Sequence, residues 1–403
     1  MKLPGSPAFW VSFTMVVGGM STALISPLYP LYQSLWSLPV SQVSLIYVVY
    51  MCGALGSLLM LGRLSDQLGF ARVMLAGLVL MLGGTLLTVL AWNLSSLIIG
   101  RFIVGVAASL ITTSGSMGLT LMSPKDGLQR VAMLSSVLIA FGFGMGPLLG
   151  GIMGQWAPAP LHTAYLPVLL LGSLAVWGLW QQNFAPPPRQ AEAAKLWRWL
   201  AYLLPRLTWP ARTDSGAFTL TCGLPFLAFG VFGLYAAMAP LFLNKMVSWH
   251  GPVVGGAAIA LILLASAGVQ ILSRRLHIHL NGFWGLLALA ISNALMILNL
   301  NLGSAVVFAL GVLLAATGHG MSMLAGSSMV TRLARPDNRA GMLATYWVIG
   351  YVGAIVPMLA MGWIADHWGL DLAVELFCAL IIVLASVLAL AVLIHPRLRT
   401  AQD

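Results

Sequence analysis

The sequence predicts an all-α membrane protein in which twelve transmembrane helices form two pseudo-symmetric six-helix bundles. Of its 403 residues, 60% are hydrophobic and only 7% are charged, and the mean hydropathy is +0.96. A membrane-spanning helix needs roughly 20 mostly apolar residues. Runs of this kind lie near residues 8–32, 42–61, 73–92, 96–122, 131–154, 163–182, 216–243, 252–273, 282–301, 303–328, 340–364 and 371–394. The first run is longer than the apolar core of a signal peptide, so we expect it to remain as a helix.

The longest polar break defines the predicted domains. It covers residues 183–215 and separates an N-terminal bundle, 1–182, from a C-terminal bundle, 216–403. Within it, the basic and aromatic stretch 195–204 suits a helix lying on the inner membrane surface. A plain cytoplasmic linker is equally compatible with this composition.

Weak internal repeats support two related halves. The loop before the fifth run places Asp126 ahead of Arg130, and the loop before the eleventh run places Asp337 ahead of Arg339. The fifth and eleventh runs each contain a proline near the middle, followed by glycines. Repeats of this kind are typical of transporter folds.

The distribution of basic residues predicts the orientation in the membrane. With the N-terminus in the cytoplasm, 17 of the 19 Lys and Arg residues lie in or at the ends of cytoplasmic segments, the exceptions being Arg101 and Lys245. This bias follows the positive-inside rule. It accounts for the net charge of +10 without a nucleic-acid partner. We therefore expect a multi-pass protein of a bacterial-type inner (plasma) membrane, with the lipid bilayer as its surroundings and both termini in the cytoplasm. Cys52, Cys222 and Cys378 lie in apolar runs, so no disulfide framework is predicted.

A charged turn at residues 62–72 lies between the second and third runs. Because lipid cannot satisfy loose backbone groups, the turn belongs at the membrane surface. Gly62 and Gly69 allow a tight turn. Asp66 suits a helix N-terminus, where a carboxylate is stabilised by about 0.3–1 kcal/mol. A simple hydrophilic connector is the alternative interpretation.

The fifth run contains glycines at a spacing that places them along one helix surface. The motif consists of Gly142, Gly146, Pro147, Gly150 and Gly151. Glycines remove side chains so that another helix can pack closely, and proline permits a kink. Ordinary close packing would explain the same pattern.

These motifs resemble those of the major facilitator superfamily. In the loop, the family pattern Gly-x-Leu-Ala-Asp-Arg-x-Gly-Arg-Lys is matched by Gly62, Leu64, Asp66 and Gly69. Phe70 and Ala71 replace the two basic residues, and Arg72 follows one position later. The fourth-helix pattern Arg-x-x-x-Gly is matched by Arg101 and Gly105. The glycine motif of the fifth run resembles that of the twelve-helix drug:proton antiporters, and related symporters typically lack it.

The resemblance implies a transporter that works by alternating access around a central cavity. In the family, the loop between the second and third helices latches the two halves together on the inner side. The fifth-helix motif implies efflux of a small organic molecule by proton antiport. A small-molecule substrate, a proton as coupling ion, no cofactor, no enzymatic activity and a monomeric state follow from the same resemblance.

Arg101 is the leading cavity candidate in the first half. A charge inside a membrane helix is costly unless it faces a cavity or a partner. Helical spacing places Gly105, Ser109 and Thr112 on roughly the same face as Arg101, which predicts a polar stripe along a pathway. Snorkelling of Arg101 to the outer interface is the alternative.

The second half offers three further candidates. His319 lies in the middle of the tenth run, and histidine changes charge near neutral pH, which suits proton coupling or ligand binding. A neutral imidazole bonded to another helix is the alternative. Trp347 can stack on an aromatic substrate or serve packing alone. Glu375, about one turn into the twelfth run, is a carboxylate near the outer interface.

Buried acidic residues are missing from this sequence. The chain has nine Asp and Glu residues, and none lies deep in the first, fourth, fifth, seventh, eighth or tenth run. Proton antiporters of the family usually keep such a residue in the N-terminal half. Coupling would therefore use His319, a peripheral carboxylate or the ionisation of the substrate. A cavity that contains Arg101 without a buried acid should prefer neutral or anionic substrates.

Two other functions stay open from the sequence. An uncoupled facilitator or an importer of a small metabolite is favoured by the missing carboxylates. A Cu(I) or other soft-metal transporter would use His319 with nearby methionines, although no metal site is predicted. Neither His-Glu-x-x-His nor Gly-x-Ser-x-Gly occurs, which argues against a membrane enzyme.

Overall fold

The computed structural model describes residues 6–62, 64–123, 128–182, 184, 207–248, 251–335 and 338–399, with the backbone alone at 128–132. Twelve helical spans in these residues are long and apolar enough to cross a membrane, and the described residues contain no β-strand. The spans are α1 (Pro7–Trp36), α2 (Val40–Leu61), α3 (Phe70–Val89), α4 (Leu94–Leu121), α5 (Leu128–Trp156), α6 (Pro160–Trp180), α7 (Arg212–Met246), α8 (Pro252–Ser273), α9 (Ile278–Leu302), α10 (Ala305–Leu333), α11 (Arg339–Trp368) and α12 (Leu370–Ile394). The predicted all-α fold with twelve spans is confirmed.

Local sequence signals fix several helix ends. At the start of α4, Asn93 Oδ1 accepts a hydrogen bond from the Ser96 N–H at 2.9 Å, and Ser96 Oγ accepts one from the Asn93 N–H at 3.2 Å. This reciprocal arrangement is a capping box, which satisfies backbone donors that the first turn leaves free. At a C-terminal end, α9 stops at Gly303, whose left-handed backbone conformation, with a φ of 58°, does not continue the helix.

The helices form two compact units. The first unit comprises residues 1–28 and 49–205, and the second comprises residues 29–48 and 206–403. In the first unit, α1 packs on α5 and α3 packs on α4; in the second, α7 packs on α11 and α9 packs on α10. The predicted bundle boundary at 183–215 stays a prediction, since residues 185–206 lie outside the described part. Arg63, Asp126 and Asp337 lie outside it as well.

Two spans contain a short non-α segment. In α1, the 3₁₀ turn Ser26–Leu28 separates the helices Pro7–Ala23 and Tyr29–Trp36. In α7, a π-helical turn at Leu234–Met238 separates Arg212–Gly233 from Ala239–Met246. Segments of this kind often mark hinges or functional sites.

Glycines set the same helix crossing in both units. A Cβ atom on Gly100 of α4 would lie 2.9 Å from the carbonyl oxygen of Gly84 in α3. A Cβ atom on Gly318 of α10 would lie 2.8 Å from the carbonyl oxygen of Gly285 in α9. Gly100 and Gly318 therefore occupy equivalent positions in the two halves of the chain.

Candidate functional site

The loop between α2 and α3 is compact rather than extended. Leu64 begins a short helix, Leu64–Leu68, and Gly62 lies exposed in the turn before it. Gly69 directly precedes α3 with a φ of 85°, a backbone conformation that favours glycine over any other residue. Gly69 is therefore the position in this turn whose backbone conformation favours a glycine, as the sequence predicts.

The two charged residues that the structure describes in this loop are accessible. Asp66 and Arg72 are both exposed, whereas Ser65 is buried and its Oγ atom lies 2.9 Å from Ser114 Oγ of α4. The loop is thus held to the first unit through Ser65, and its carboxylate and guanidinium stay accessible. The proposed role of the loop as a latch stays a prediction.

The glycine motif of α5 forms a backbone contact with α1. Cβ atoms added at Gly142, Gly146 and Gly150 would overlap carbonyl oxygens of α1, and all three positions are buried. The carbonyl groups they meet belong to Val16, Met20 and Leu24. Pro147 and Gly151 are buried in the same part of α5. Since both sets are four residues apart, the two backbones touch over successive turns with no room for a side chain.

Arg101 is buried inside the first unit. Only 2% of its surface is exposed. Its Nη2 atom donates a hydrogen bond to the Thr22 carbonyl of α1 at 2.8 Å. Its Cζ atom lies 4.9 Å from the ring centroid of Tyr50 in α2. A cation over an aromatic face is stabilised by the ring quadrupole. The described residues place no carboxylate in an ion pair with Arg101, and its Nε atom has no partner among them. Arg101 therefore contacts the interior of its own unit instead of snorkelling.

The polar stripe below Arg101 serves different purposes along its length. A Cβ atom on Gly105 would overlap the Tyr50 carbonyl oxygen, so Gly105 is a packing position against α2. Ser109 is buried, and Thr112 is half-buried with its hydroxyl donating to the Ala108 carbonyl at 2.9 Å. Ser109 and Thr112 are thus the parts of the stripe that retain hydroxyl groups near the unit's surface.

His319 is the centre of a polar and aromatic cluster in the second unit. Its Nδ1 atom lies 2.8 Å from Ser266 Oγ of α8. Its ring is stacked on Phe229 of α7, with centroids 6.3 Å apart and planes 15° apart, and lies 5.9 Å from the ring of Phe232. The imidazole is buried. His319 is therefore bonded to another helix, which is the alternative that the sequence left open. The bond uses Nδ1, so Nε2 is the ring nitrogen that remains for another partner.

Phe229 connects His319 to the aromatic residues of α11. Its ring centroid lies 6.0 Å from that of Trp347 and 5.7 Å from that of Tyr351. Phe229, Trp347 and Tyr351 are all partly exposed, whereas Tyr346 is fully buried. The partly exposed rings form a surface on which a planar molecule can stack.

No described carboxylate is buried. Glu375 is exposed on α12, so it lies on the outside of the second unit. The other described carboxylates belong to Asp66, Asp214, Asp366 and Asp371. Asp371 pairs with Lys245 and Asp214 pairs with Arg397. Among the described residues, no group of three or more His, Cys, Asp and Glu residues is placed to hold a metal ion.

Sequence reasoning missed that Arg101 and His319 are counterparts. Each directly follows the glycine that sets the crossing of α3 with α4, or of α9 with α10. Arg101 contacts the first and second spans of its half, and His319 contacts α7 and α8, which are the first and second spans of the other half. Phe229 and Phe232 were missed as well.

A repeat in the sequence relates the first spans of the two halves. Residues 30–32 read Pro-Leu-Tyr and residues 240–242 read Pro-Leu-Phe, a separation of 210 positions. The same separation leads from Thr22, which accepts from Arg101, to Phe232, which packs on His319. The interrupted segments of α1 and α7 each end two residues before these prolines.

Comparisons with known proteins agree with the twelve-span architecture. The family model of the Major Facilitator Superfamily matches residues 11–323. MdtD of Pectobacterium atrosepticum, named for multidrug resistance, is 28% identical over 173 residues, which are 42% of this chain and 36% of that protein. The riboflavin transporter RibZ of Clostridioides difficile is 24% identical over 149 residues, 36% of this chain and 33% of RibZ. The matched part thus spans about a third of the length of these relatives.

Solved structures share the fold at low sequence identity. A bacterial homologue of the human lysosomal transporter Spinster superposes with a TM-score of 0.75 at 15% identity, covering 96% of both chains. The human organic anion transporter MFSD10 superposes with a TM-score of 0.64 at 17% identity, covering 94% of this chain and 98% of that one. At these identities the likeness concerns the fold alone.

Proposed function

Because the chain belongs to the Major Facilitator Superfamily, we propose that this multi-pass membrane transporter exports a small organic molecule by proton antiport with alternating access. The backbone contact between α1 and α5 at Gly142, Gly146 and Gly150 carries this proposal. The glycine motif of α5 is the feature that resembles drug:proton antiporters. The relatives named for multidrug resistance and riboflavin transport support the same class of activity.

The contact between α1 and α5 has a physical property that antiport requires. Where carbonyl oxygens of one helix touch the glycines of another, neither a side chain nor a water molecule fits between them. Such a contact excludes water from between the two helices. An antiporter needs this property, since a proton leak would dissipate the gradient that drives export.

The proposed substrate is a neutral or anionic molecule with a planar aromatic part. Phe229, Trp347 and Tyr351 offer partly exposed rings for stacking, and aromatic pairs contribute about 0.5–1.5 kcal/mol beyond their buried area. Arg101 is a buried cation, and no described carboxylate is buried to attract a cationic drug. Charge complementarity therefore favours neutral and anionic compounds.

His319 is the proposed proton carrier. It is buried, it is bonded through Nδ1 to Ser266, and it lies beside the aromatic rings that would hold the substrate. Protonation of an imidazole next to the substrate would couple the charge of the site to its occupancy. We further propose an inner-membrane location with both termini in the cytoplasm, a monomeric state and a latch formed by residues 62–72.

The decisive experiment measures proton and substrate movement together. The purified chain is placed in liposomes loaded with a pH-sensitive dye, and cationic, neutral and anionic aromatic compounds are added. We expect neutral and anionic compounds to move against the proton flux. His319→Gln should abolish the proton signal, while the exposed control His162→Gln should preserve it. Glu375→Gln should preserve it too, because Glu375 faces outward.

An uncoupled facilitator or importer is the second candidate. The observation in its favour is that none of the described carboxylates is buried. Compound movement without any proton signal in the same liposomes would establish it. The motif of α5 would then serve packing alone. Transport of a permanent cation in preference to anions would contradict the proposed substrate class.

A further inference from the structure

A basic cavity lies at one end of the second unit, away from the residues assigned to transport. Its volume is about 190 Å³, enough for about six water molecules at about 30 Å³ each. It is enclosed by the connection between α8 and α9, the last turns of α10 and the short helix Pro396–Arg399. The polar residues that matter here are Arg274, His277, His279, Asn281, Arg332 and Arg399.

The charge of this cavity is strongly positive. Three arginines line it beside two histidines, and none of the lining residues that the structure describes is Asp or Glu. Within the described residues, neither Arg274 nor Arg399 takes part in an ion pair. The neighbouring Arg397 already pairs with Asp214 at 2.7 Å. A concave site with several guanidinium groups and no carboxylate among its described lining residues fits a phosphate, which arginine binds through two parallel hydrogen bonds.

The N-terminus of a long helix adds to this field. Helix α9 begins at Ile278, and its N-cap residue His277 makes no side-chain capping hydrogen bond. Its first-turn residues Ile278 and His279 line the cavity. The first N–H groups of a helix have no partner within the helix, and together with the helix dipole they favour an anion.

Asn281 indicates that a molecule bound in the cavity would carry a hydrogen-bond donor in addition to its phosphate. Its side chain is 1% exposed and lines the cavity. Its Nδ2 donates to the Ser273 carbonyl at 2.9 Å and to the Leu276 carbonyl at 3.4 Å, which fixes the amide orientation. Oδ1 then has no partner among the described residues. A buried acceptor without a donor costs free energy, so a hydroxyl group on the ligand would satisfy it.

Two exposed leucines accompany Arg274 at this end of the second unit. Leu272 is 81% exposed and Leu276 is 46% exposed, and they flank Arg274 in the chain. Exposed leucines next to a phosphate-binding pocket at the end of a membrane span suit the start of an acyl chain. They offer nothing to a free phosphate ion.

We propose that this cavity binds the headgroup of an anionic glycerophospholipid that carries a free hydroxyl, such as phosphatidylglycerol. Arg274, Arg399 and the N-terminus of α9 hold the phosphate. A glycerol hydroxyl donates to Asn281 Oδ1, and the acyl chains leave along Leu272 and Leu276. Basic pockets between transmembrane helices are known to bind anionic headgroups. The proposal is independent of the transported substrate and of proton coupling.

Native mass spectrometry of the purified full chain in detergent tests this site. The lipid-free protein is titrated with phosphatidylglycerol and, separately, with phosphatidylcholine. We expect Arg274→Gln to raise the Kd for phosphatidylglycerol about tenfold, equivalent to about 1.4 kcal/mol. The matched control is Arg275→Gln, since Arg275 is the next residue, is exposed and does not line the cavity. It should change the Kd by less than about twofold.

Three results would overturn the proposal. They are equal effects of Arg274→Gln and Arg275→Gln, equal affinity for phosphatidylcholine, and displacement of the lipid by millimolar inorganic phosphate, which would assign the site to a soluble ion. If Arg274→Gln impairs folding, as judged by its thermal unfolding without lipid, Arg399→Gln at the end of the described chain takes its place. The same tenfold loss is expected, and its absence would refute the site.

Discussion

The Nδ1 atom of His319 lies 2.8 Å from the Oγ atom of Ser266, and this hydrogen bond joins α10 to α8 inside the second unit. In the first unit, Arg101 takes the corresponding place on α4 and donates to the Thr22 carbonyl of α1. Each half of the chain thus carries one basic side chain directly after the glycine where two helices cross. The two halves thus carry different residue types at this place, and the proposed proton coupling assigns the proton to the histidine alone.

Removal of the hydroxyl partner should destabilise the second unit. Ser266→Ala leaves the buried imidazole of His319 without its hydrogen bond, at a cost of about 1–3 kcal/mol. We expect a lower Tm in detergent, followed by tryptophan fluorescence. Ser273→Ala is the matched control, because Ser273 lies in the same helix, is buried, and its Oγ has no partner among the described residues. An equal loss in both variants would mean that the hydrogen bond contributes nothing specific.

Replacement of Arg101 should separate stability from activity. Its buried charge has no carboxylate partner in the described chain, and burial of a charge carries a desolvation penalty of several kcal/mol that no ion pair offsets here. We expect Arg101→Met to retain or raise the Tm and to abolish transport in liposomes. Arg101→Lys keeps the charge but loses the planar group over Tyr50, so it should be less stable than Arg101→Met. A lower Tm for Arg101→Met would assign Arg101 a structural role.

The contact between α1 and α5 should not tolerate one extra methyl group. A Cβ atom on Gly146 would overlap the Met20 carbonyl oxygen, and overpacking of this kind costs about 1–3 kcal/mol. Gly146→Ala should therefore lower the Tm and slow transport. At Gly83 of α3 an added Cβ meets nothing within 4 Å, so Gly83→Ala should be neutral or stabilising by up to about 1 kcal/mol. Tolerance of Gly146→Ala would mean that the two helices can separate without cost.

The carboxylate of Asp366 should hold the start of α2 in place. Both of its oxygens lie 3.3 Å from the Ser41 backbone nitrogen in the first turn of that helix. Loss of a negative charge at a helix N-terminus costs about 0.3–1 kcal/mol, or about two- to fivefold in an equilibrium. Asp366→Asn should therefore speed alkylation of a cysteine at the buried Ser44 about two- to fivefold, in a background with Cys52→Ser.

Asp371→Asn is the control for that measurement. Asp371 lies five positions further along the chain and pairs with Lys245 instead. The same increase in alkylation with this variant would indicate a general electrostatic effect. No change with Asp366→Asn would mean that the contact between Asp366 and Ser41 does not control how often position 44 becomes accessible to the reagent.

The ends of the spans show how well the local sequence pattern predicts helix boundaries. The predicted run 252–273 coincides with α8, Pro252–Ser273, and the run 371–394 differs from α12 by one residue. The runs 8–32 and 216–243 ended before α1 and α7 do, because the prolines and polar residues near those ends look like helix stops. In the structure the helical segments Tyr29–Trp36 and Ala239–Met246, which follow a 3₁₀ turn and a π-helical turn, continue past them.

The sequence by itself determined the twelve-span fold, because each helix in lipid must satisfy its own backbone and reveals itself by a long apolar run. It also determined the glycine contact surface of α5, since a spacing of four residues places groups on one helix face. Only the tertiary structure decided that Arg101 points inward and Glu375 outward, because helical spacing says which residues share a face but not what that face meets. The pair His319–Ser266 was beyond the sequence for the same reason: 53 positions separate the two residues, and only the crossing of α8 with α10 brings them together.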